Sequence, residues 1–413
     1  MTTMAHPQKD RRTASRSASA VYFYAVLLIF LYDSLDVSND FYLMANSPLW
    51  VVRPLAWACL FALLGRVLQD KASATAWKAW VLMILAWGFV PIVLTTVLSA
   101  MVLGPLQTTT ALGIYFRDRA LYGYFGNVVG WPHFILPGIF DDANIAQCVN
   151  ATMWAVPCAL IAVATAAAIK WQSALSPILP ALVAVVATGI AVLVNTRGIA
   201  LLSSAGLLRS EGVGLPLICV FSAMSGMVAG PYLRRGLFDI RIAIGVGMAI
   251  VILALISARD MLGNPAICLL IVFSAIYAVE ASSVFRLTLN RQVAGLAPSL
   301  GMFLLVSYPI QQTTISLFGA HQSPLITVVV ALPTTAMIAY FAMRSMIVLE
   351  SRLVGQADTA ELYAAADLTS VGSALRAIAG ARGPVALVVV VTAIVLLVFF
   401  MTLLAFEPPK IGI

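Results

Sequence analysis

Apolar runs long enough to cross a bilayer recur along the chain, and no other feature constrains the fold as strongly. They fall at about 21–32, 50–68, 79–103, 151–169, 175–195, 213–230, 240–257, 262–281, 296–318, 325–347 and 385–406. Most are near the length a helix needs to cross a hydrocarbon core about 30 Å thick. With 62% hydrophobic and 10% charged residues, the chain has too few polar groups to cover a soluble surface. Hydrocarbon removes that difficulty, because it solvates Leu, Val and Ala side chains. Backbone groups in lipid must then be paired internally, which leaves helices or a closed barrel. The runs are unbroken and not ten-residue alternating segments, so helices are expected. The expected fold is an all-α, polytopic transmembrane bundle of about eleven helices.

Charge sets the expected orientation. With the N-terminus placed inside, 17 of the 24 Lys and Arg fall on inner segments and 7 on outer ones. This bias predicts a cytoplasmic N-terminus and, with eleven spans, an outer C-terminus. The net charge of +7 follows from that placement and does not require a nucleic-acid partner. Four of the five cysteines (Cys59, Cys158, Cys219 and Cys268) sit inside apolar runs, and only Cys148 lies near a loop. No Cys or His spacing suits a metal, and neither a disulfide framework nor a bound cofactor is expected.

Residues 1–19 form a basic cytoplasmic tail, and 21–32 reads as an uncleaved first helix because no small-x-small cleavage site follows it. The main membrane domain covers 20–355. A cytoplasmic linker at 356–384 separates it from an additional C-terminal helix and short tail at 385–413. Between the third and fourth spans, residues 104–150 make a long outer connection rich in aromatics, including Tyr115, Phe116, Tyr122, Trp131 and Phe134. Two readings stand side by side: an interfacial aromatic belt, or a lid or substrate platform.

Three stretches have specific character. The first is Ala100–Thr109, followed by Tyr115-Phe116. The second is Leu136-Pro137-Gly138-Ile139-Phe140, then Val149-Asn150-Ala151-Thr152-Met153-Trp154-Ala155-Val156-Pro157. The third is Ser307-Tyr308-Pro309-Ile310-Gln311-Gln312, then Ser323-Pro324-Leu325 and Glu350. In this order and spacing the chain resembles the acyltransferase 3 family of membrane proteins, over about residues 20–355. The resemblance implies a ten-helix body that moves an acyl group, commonly acetyl from a cytoplasmic thioester donor such as acyl-coenzyme A. The acceptor would be a hydroxyl of a cell-surface or exported polysaccharide or a lipid-linked sugar. It also implies a bacterial inner membrane, and membrane lipid and other polysaccharide-synthesis proteins as partners.

The polar positions differ from the family pattern. Asp33 stands where the family has a catalytic His, Tyr22 where it has an Arg, and Ala159 where it has a Glu. Leu82–Pro91 carries no basic residue. Acyl transfer to a hydroxyl needs a base, and burial can raise a carboxylate's basicity toward that task. Asp33 is therefore the candidate catalytic residue, its alternative being the outer end of helix one meeting water. Arg53, Asn150, Trp154, Tyr308 and Gln312 are the candidate substrate-binding residues. Arg53 is expected to pair with Asp33 or Asp36, since an Arg inside a span is costly alone. Asn150 is expected to cap the fourth span. Tyr308 and Gln312, one turn apart, would hydrogen-bond a sugar hydroxyl or a neighbouring helix. Glu280 and Glu350 are expected to pair with Arg286, Arg344 or Arg352 at inner helix ends. Two rival functions remain: a catalytically inactive relative serving as a scaffold or partner subunit in polysaccharide export, and a transporter. The lack of a sequence repeat and of paired intramembrane charges speaks against the transporter.

Overall fold

A computed structural model describes residues 7–38, 48–141, 145, 147–171, 214–233, 265–284, 299–319 and 324–354. The candidate spans at 175–195, 240–257 and 385–406, and the linker at 356–384, lie outside the described residues. Within them the structure is helical, without a sheet. Only isolated antiparallel bridges, Thr108 with Ile139 and Ile135 with Cys148, tie extended segments together.

Ten helices carry the description. They are α1 (Pro7–Ser38), α2 (Val52–Ala74), α3 (Trp77–Gln107), α4 (Leu112–Tyr115), α5 (Arg119–Tyr124), α6 (Ala155–Trp171), α7 (Gly214–Leu233), α8 (Pro265–Val284), α9 (Leu300–Phe318) and α10 (Pro324–Val354). Five helices are long and apolar enough to cross a membrane: Ser19–Ser38, Val52–Ala72, Trp77–Gln107, Ala151–Trp171 and Pro324–Arg344. The chain is a multi-pass helical membrane protein. Helix α9 is less apolar because it carries Ser307, Tyr308, Gln311, Gln312, Thr313 and Thr314, all of them buried.

Helix α2 is the hub, packing against α1, α6, α7 and α8. Its closest approach is to α7. A Cβ on Gly65 would collide with the carbonyl of Ala223, and one on Gly226 would collide with the carbonyl of Ala62. The two backbones touch directly, which is how small residues allow membrane helices to associate without a hydrophobic driving force.

Helix α3 is interrupted twice by π-turns, at Leu85–Phe89 and at Ser99–Leu103. Each directly precedes a proline-bearing turn, Pro91 and Pro105. Proline lacks an N–H and clashes with the carbonyl four residues back, and widening the preceding turn relieves both problems. The second π-turn is also where Tyr115 docks. Its hydroxyl donates to the Ala100 carbonyl at 2.7 Å.

Contacts between helix ends show the alternation that consecutive spans require. At one end, Ser38 meets Thr327 at 2.8 Å, and Gln107 lies 3.4 Å from Ser316. At the opposite end, Lys170 Nζ donates to the carbonyls of Ala72 and Thr75. Arg66 Nη1 there lies 3.0 Å from Glu280 Oε1. The sequence expectation named arginines nearer in sequence and not Arg66; of these, Arg286 lies outside the described residues. Packing of α2 against α8 places Arg66 beside Glu280, and both are buried. The side chain of Glu350 lies outside the described set.

Candidate functional site

Helix α1 supplies the acidic side of a buried polar cluster. Asp33, Ser34, Asp36 and Ser38 are all buried, so the end of this helix does not meet water at Asp33. Helix α2 supplies the basic side near its start. Arg53 Nε lies 3.4 Å from Asp33 Oδ1, and Arg53 Nη1 lies 4.0 Å from Asp36 Oδ2. The guanidinium also sits over the Tyr32 ring, 5.4 Å from its centroid. Removing charges from water is expensive unless they are paired, and here an Arg faces two carboxylates while resting on an aromatic face. The pairing anticipated from sequence is thus present, with Asp36 included.

Helix α9 closes the cluster. Gln311 Nε2 donates to the Phe30 carbonyl at 3.0 Å and to Ser34 Oγ at 2.8 Å, tying α9 to α1 beside Asp33. Gln312 turns the other way. Its Nε2 lies 3.3 Å from the Tyr308 hydroxyl and 3.4 Å from the Ile145 carbonyl. Tyr308 is buried and lies within electrostatic reach of Cys148, Asp36 and Asp33. Cys148, outside the spanning helices, is itself fully buried, and that burial pushes its thiol up to about 12.

The segment before α6 provides the floor. Asn150 Oδ1 accepts from the Thr152 backbone N–H at 3.2 Å and from Thr152 Oγ1 at 2.6 Å, as an N-cap does. Asn150 Nδ2 donates to the Leu305 carbonyl at 2.7 Å, so the cap also fastens this segment to α9. Trp154 follows in the 3-10 turn Ala151–Trp154 and packs edge-on against Trp57, with ring centroids 4.9 Å apart. Trp57 lies one turn beyond Arg53 on α2, so Trp154 abuts the helix that carries the basic group.

All six residues singled out from sequence therefore lie on elements that converge on one end of α1, α2 and α9. Asp33 and Arg53 touch. Tyr308 and Gln312 touch each other and belong to the same helix as Gln311, which reaches α1. Asn150 and Trp154 line the side facing α9 and α2. Sequence reasoning missed Gln311, Trp57 and Cys148. The doublet Gln311-Gln312 held the signal for the first, because neighbouring residues on a helix point about 100° apart and only one can face α1. No protein-family model, curated protein or solved structure matches the chain.

Proposed function

We propose that this membrane protein transfers an acyl group, most simply acetyl, from a thioester donor to a hydroxyl of a surface or exported glycan or a lipid-linked sugar. The observation that carries the proposal is the buried Asp33–Arg53–Asp36 cluster. Gln311 of the third resembling stretch bonds to α1 beside it, and Trp154 of the second packs on Trp57, one turn from Arg53. Ionisable groups inside apolar spans are costly, and function is the ordinary reason for keeping them.

The chemistry assigns one role to each group. Asp33 takes the proton of the acceptor hydroxyl. The hydroxyl oxygen then bonds to the acyl carbon, the carbon–sulfur bond breaks, and the proton passes to the leaving thiolate. Arg53 orients Asp33 and balances its charge. Tyr308 and Gln312 contribute hydroxyl and amide groups suited to a sugar, and Trp154 contributes an aromatic face. Acyl-coenzyme A is the donor by resemblance, and no bound cofactor takes part. The expected setting is a bacterial inner membrane with a cytoplasmic N-terminus.

A second reading is favoured by the pairing itself. A carboxylate held by an arginine is a weaker base, so Asp33–Arg53 also suits a non-catalytic relative in which the pair ties α1 to α2 and the protein serves as a scaffold. The transporter reading loses one objection, since two buried charge pairs, Arg53–Asp33 and Arg66–Glu280, lie near opposite ends of α2. Expression in a host without glycan acylation separates these readings. New O-acetyl groups detected by mass spectrometry support acyl transfer. Uptake of labelled glycan into vesicles without acetylation supports transport, and neither activity supports the scaffold.

A further inference from the structure

The connection between α3 and α6 turns back along these helices. The Tyr115 hydroxyl meets Ala100 at 2.7 Å, about 10 Å down α3 from Gln107 at 1.5 Å per residue. The following 3-10 turn, Phe125–Val129, packs on the Val90–Leu98 part of α3, about 14–26 Å from the same end. Gly130 then sits against α6. A Cβ there would lie 2.5 Å from Leu160 Cδ1 and 3.9 Å from the Pro157 Cα, at a left-handed φ of +79°. Pro157 and Leu160 are about 9 and 14 Å along the axis from Ala151. Contacts on two independent helices thus place this segment beside the apolar spans.

Its composition fits that depth. Between Arg119 and Asp141 the sequence holds no Asp, Glu, Lys or Arg. At the tip, Val129 is 77% and Trp131 50% exposed. Arg117 and Arg119 on one flank and Asp141 on the other are exposed too, so charge returns only at the two ends. The tip's surface continues that of Val97 and Leu98 on α3 and Leu160 on α6, which are also exposed.

Irregular backbone in hydrocarbon must satisfy its own polar groups. Asn127 does much of this, although it lies in a turn. Its Nδ2 donates to the carbonyls of Tyr124 at 2.9 Å and His133 at 2.6 Å, and its Oδ1 accepts from the His133 N–H at 2.9 Å. Backbone bonds from Gly130 to Asn127 and from Trp131 to Gly126 close the rest of the tip.

We infer that residues 120–140 form a re-entrant hairpin that dips into one leaflet, with Val129 and Trp131 facing lipid acyl chains. Arg117, Arg119 and Asp141 then stay at the headgroup level, where charge is tolerated. The inference rests on the membrane reading alone and stands or falls separately from acyl transfer.

The test places a spin label on Val129→Cys and, separately, on Arg119→Cys, in full-length protein in phosphatidylcholine–phosphatidylglycerol nanodiscs. Collision rates with oxygen, which partitions into lipid, and with a water-soluble nickel chelate are then compared. The expected result is high oxygen and low nickel accessibility at 129, with the reverse at 119. Equal nickel accessibility at both sites would show that the tip lies in water and overturn the inference. Protection of 129 from both agents would mean that protein covers it, and would overturn it equally. If Val129→Cys does not fold, Trp131→Cys carries the same expectation.

Discussion

Arg53 Nε lies 3.4 Å from Asp33 Oδ1, and each side chain is almost completely removed from solvent. This contact joins the first two helices at the place where the polar residues of α9 arrive. Its worth lies less in net attraction than in what removing one partner leaves behind. Replacing Arg53 with Met takes the guanidinium away from two buried carboxylates, which costs about 3–5 kcal/mol for a buried pair. Asp33→Asn combined with Arg53→Met removes both charges and costs less than the sum of the single changes. A double-mutant cycle on unfolding in detergent is expected to give a coupling of at least about 1 kcal/mol. A coupling near zero would show that the two groups do not depend on each other.

The contact of α2 with α7 predicts sharp sensitivity to a single methyl group. Gly65→Ala and Gly226→Ala each drive a Cβ into a carbonyl of the facing helix, and backbone cannot step aside as a flexible side chain can. Each is expected to destabilise by about 1–3 kcal/mol, the usual range for overpacking. Gly88→Ala, where a Cβ meets nothing within 4 Å, is the control and is expected not to lower the melting temperature.

The tyrosine that pins the connection to the π-turn of α3 gives a smaller effect. Tyr115→Phe keeps the ring and removes the hydroxyl that donates to Ala100. The loss is expected to be about 1 kcal/mol, the net value of one hydrogen bond, and more if water cannot reach the carbonyl left behind. Limited proteolysis between Leu112 and Arg119 should quicken in this variant relative to the parent.

Cys148 is expected to be chemically silent. Burial pushes its thiol up to about 12, so the reactive thiolate is scarcely populated at pH 8 in the folded protein. Peptide mass spectrometry after maleimide treatment should find Cys148 unmodified under native conditions and modified after unfolding in dodecyl sulfate. Rapid native labelling would contradict its placement.

Much of the architecture was legible because lipid imposes a simple rule. Runs such as 79–103 and 151–169 announced their helices by length and lack of charge, and an Arg near the start of a span demanded a partner that Asp33 and Asp36 supply. Proline and Asn at 150–157 signalled a helix start, and Asn150 caps it. What sequence concealed depends on packing between distant elements. Glu280 reaches Arg66, 214 residues away, a contact that sequence distance could not suggest because helix adjacency is not encoded in it. Gln311 and Gln312 differ only by which face of α9 meets α1. The connection 104–150 announced its aromatics in sequence, but its contacts with Leu160 on α6 and Ala100 on α3 depend on packing and could not be read there.

Acyl transfer through Asp33 is tested by one comparison. The wild type and Asp33→Asn are expressed at equal levels, with folding checked by thermal unfolding, in a host lacking glycan acylation, and surface and lipid-linked glycans are analysed for O-acyl groups by mass spectrometry. The expected result is acylation with the wild type and a fall of about 100-fold or more with Asp33→Asn, the scale set by losing a general base. Acylation unchanged in a folded Asp33→Asn protein would remove Asp33 as the base, and no acylation by the wild type would contradict the proposed activity.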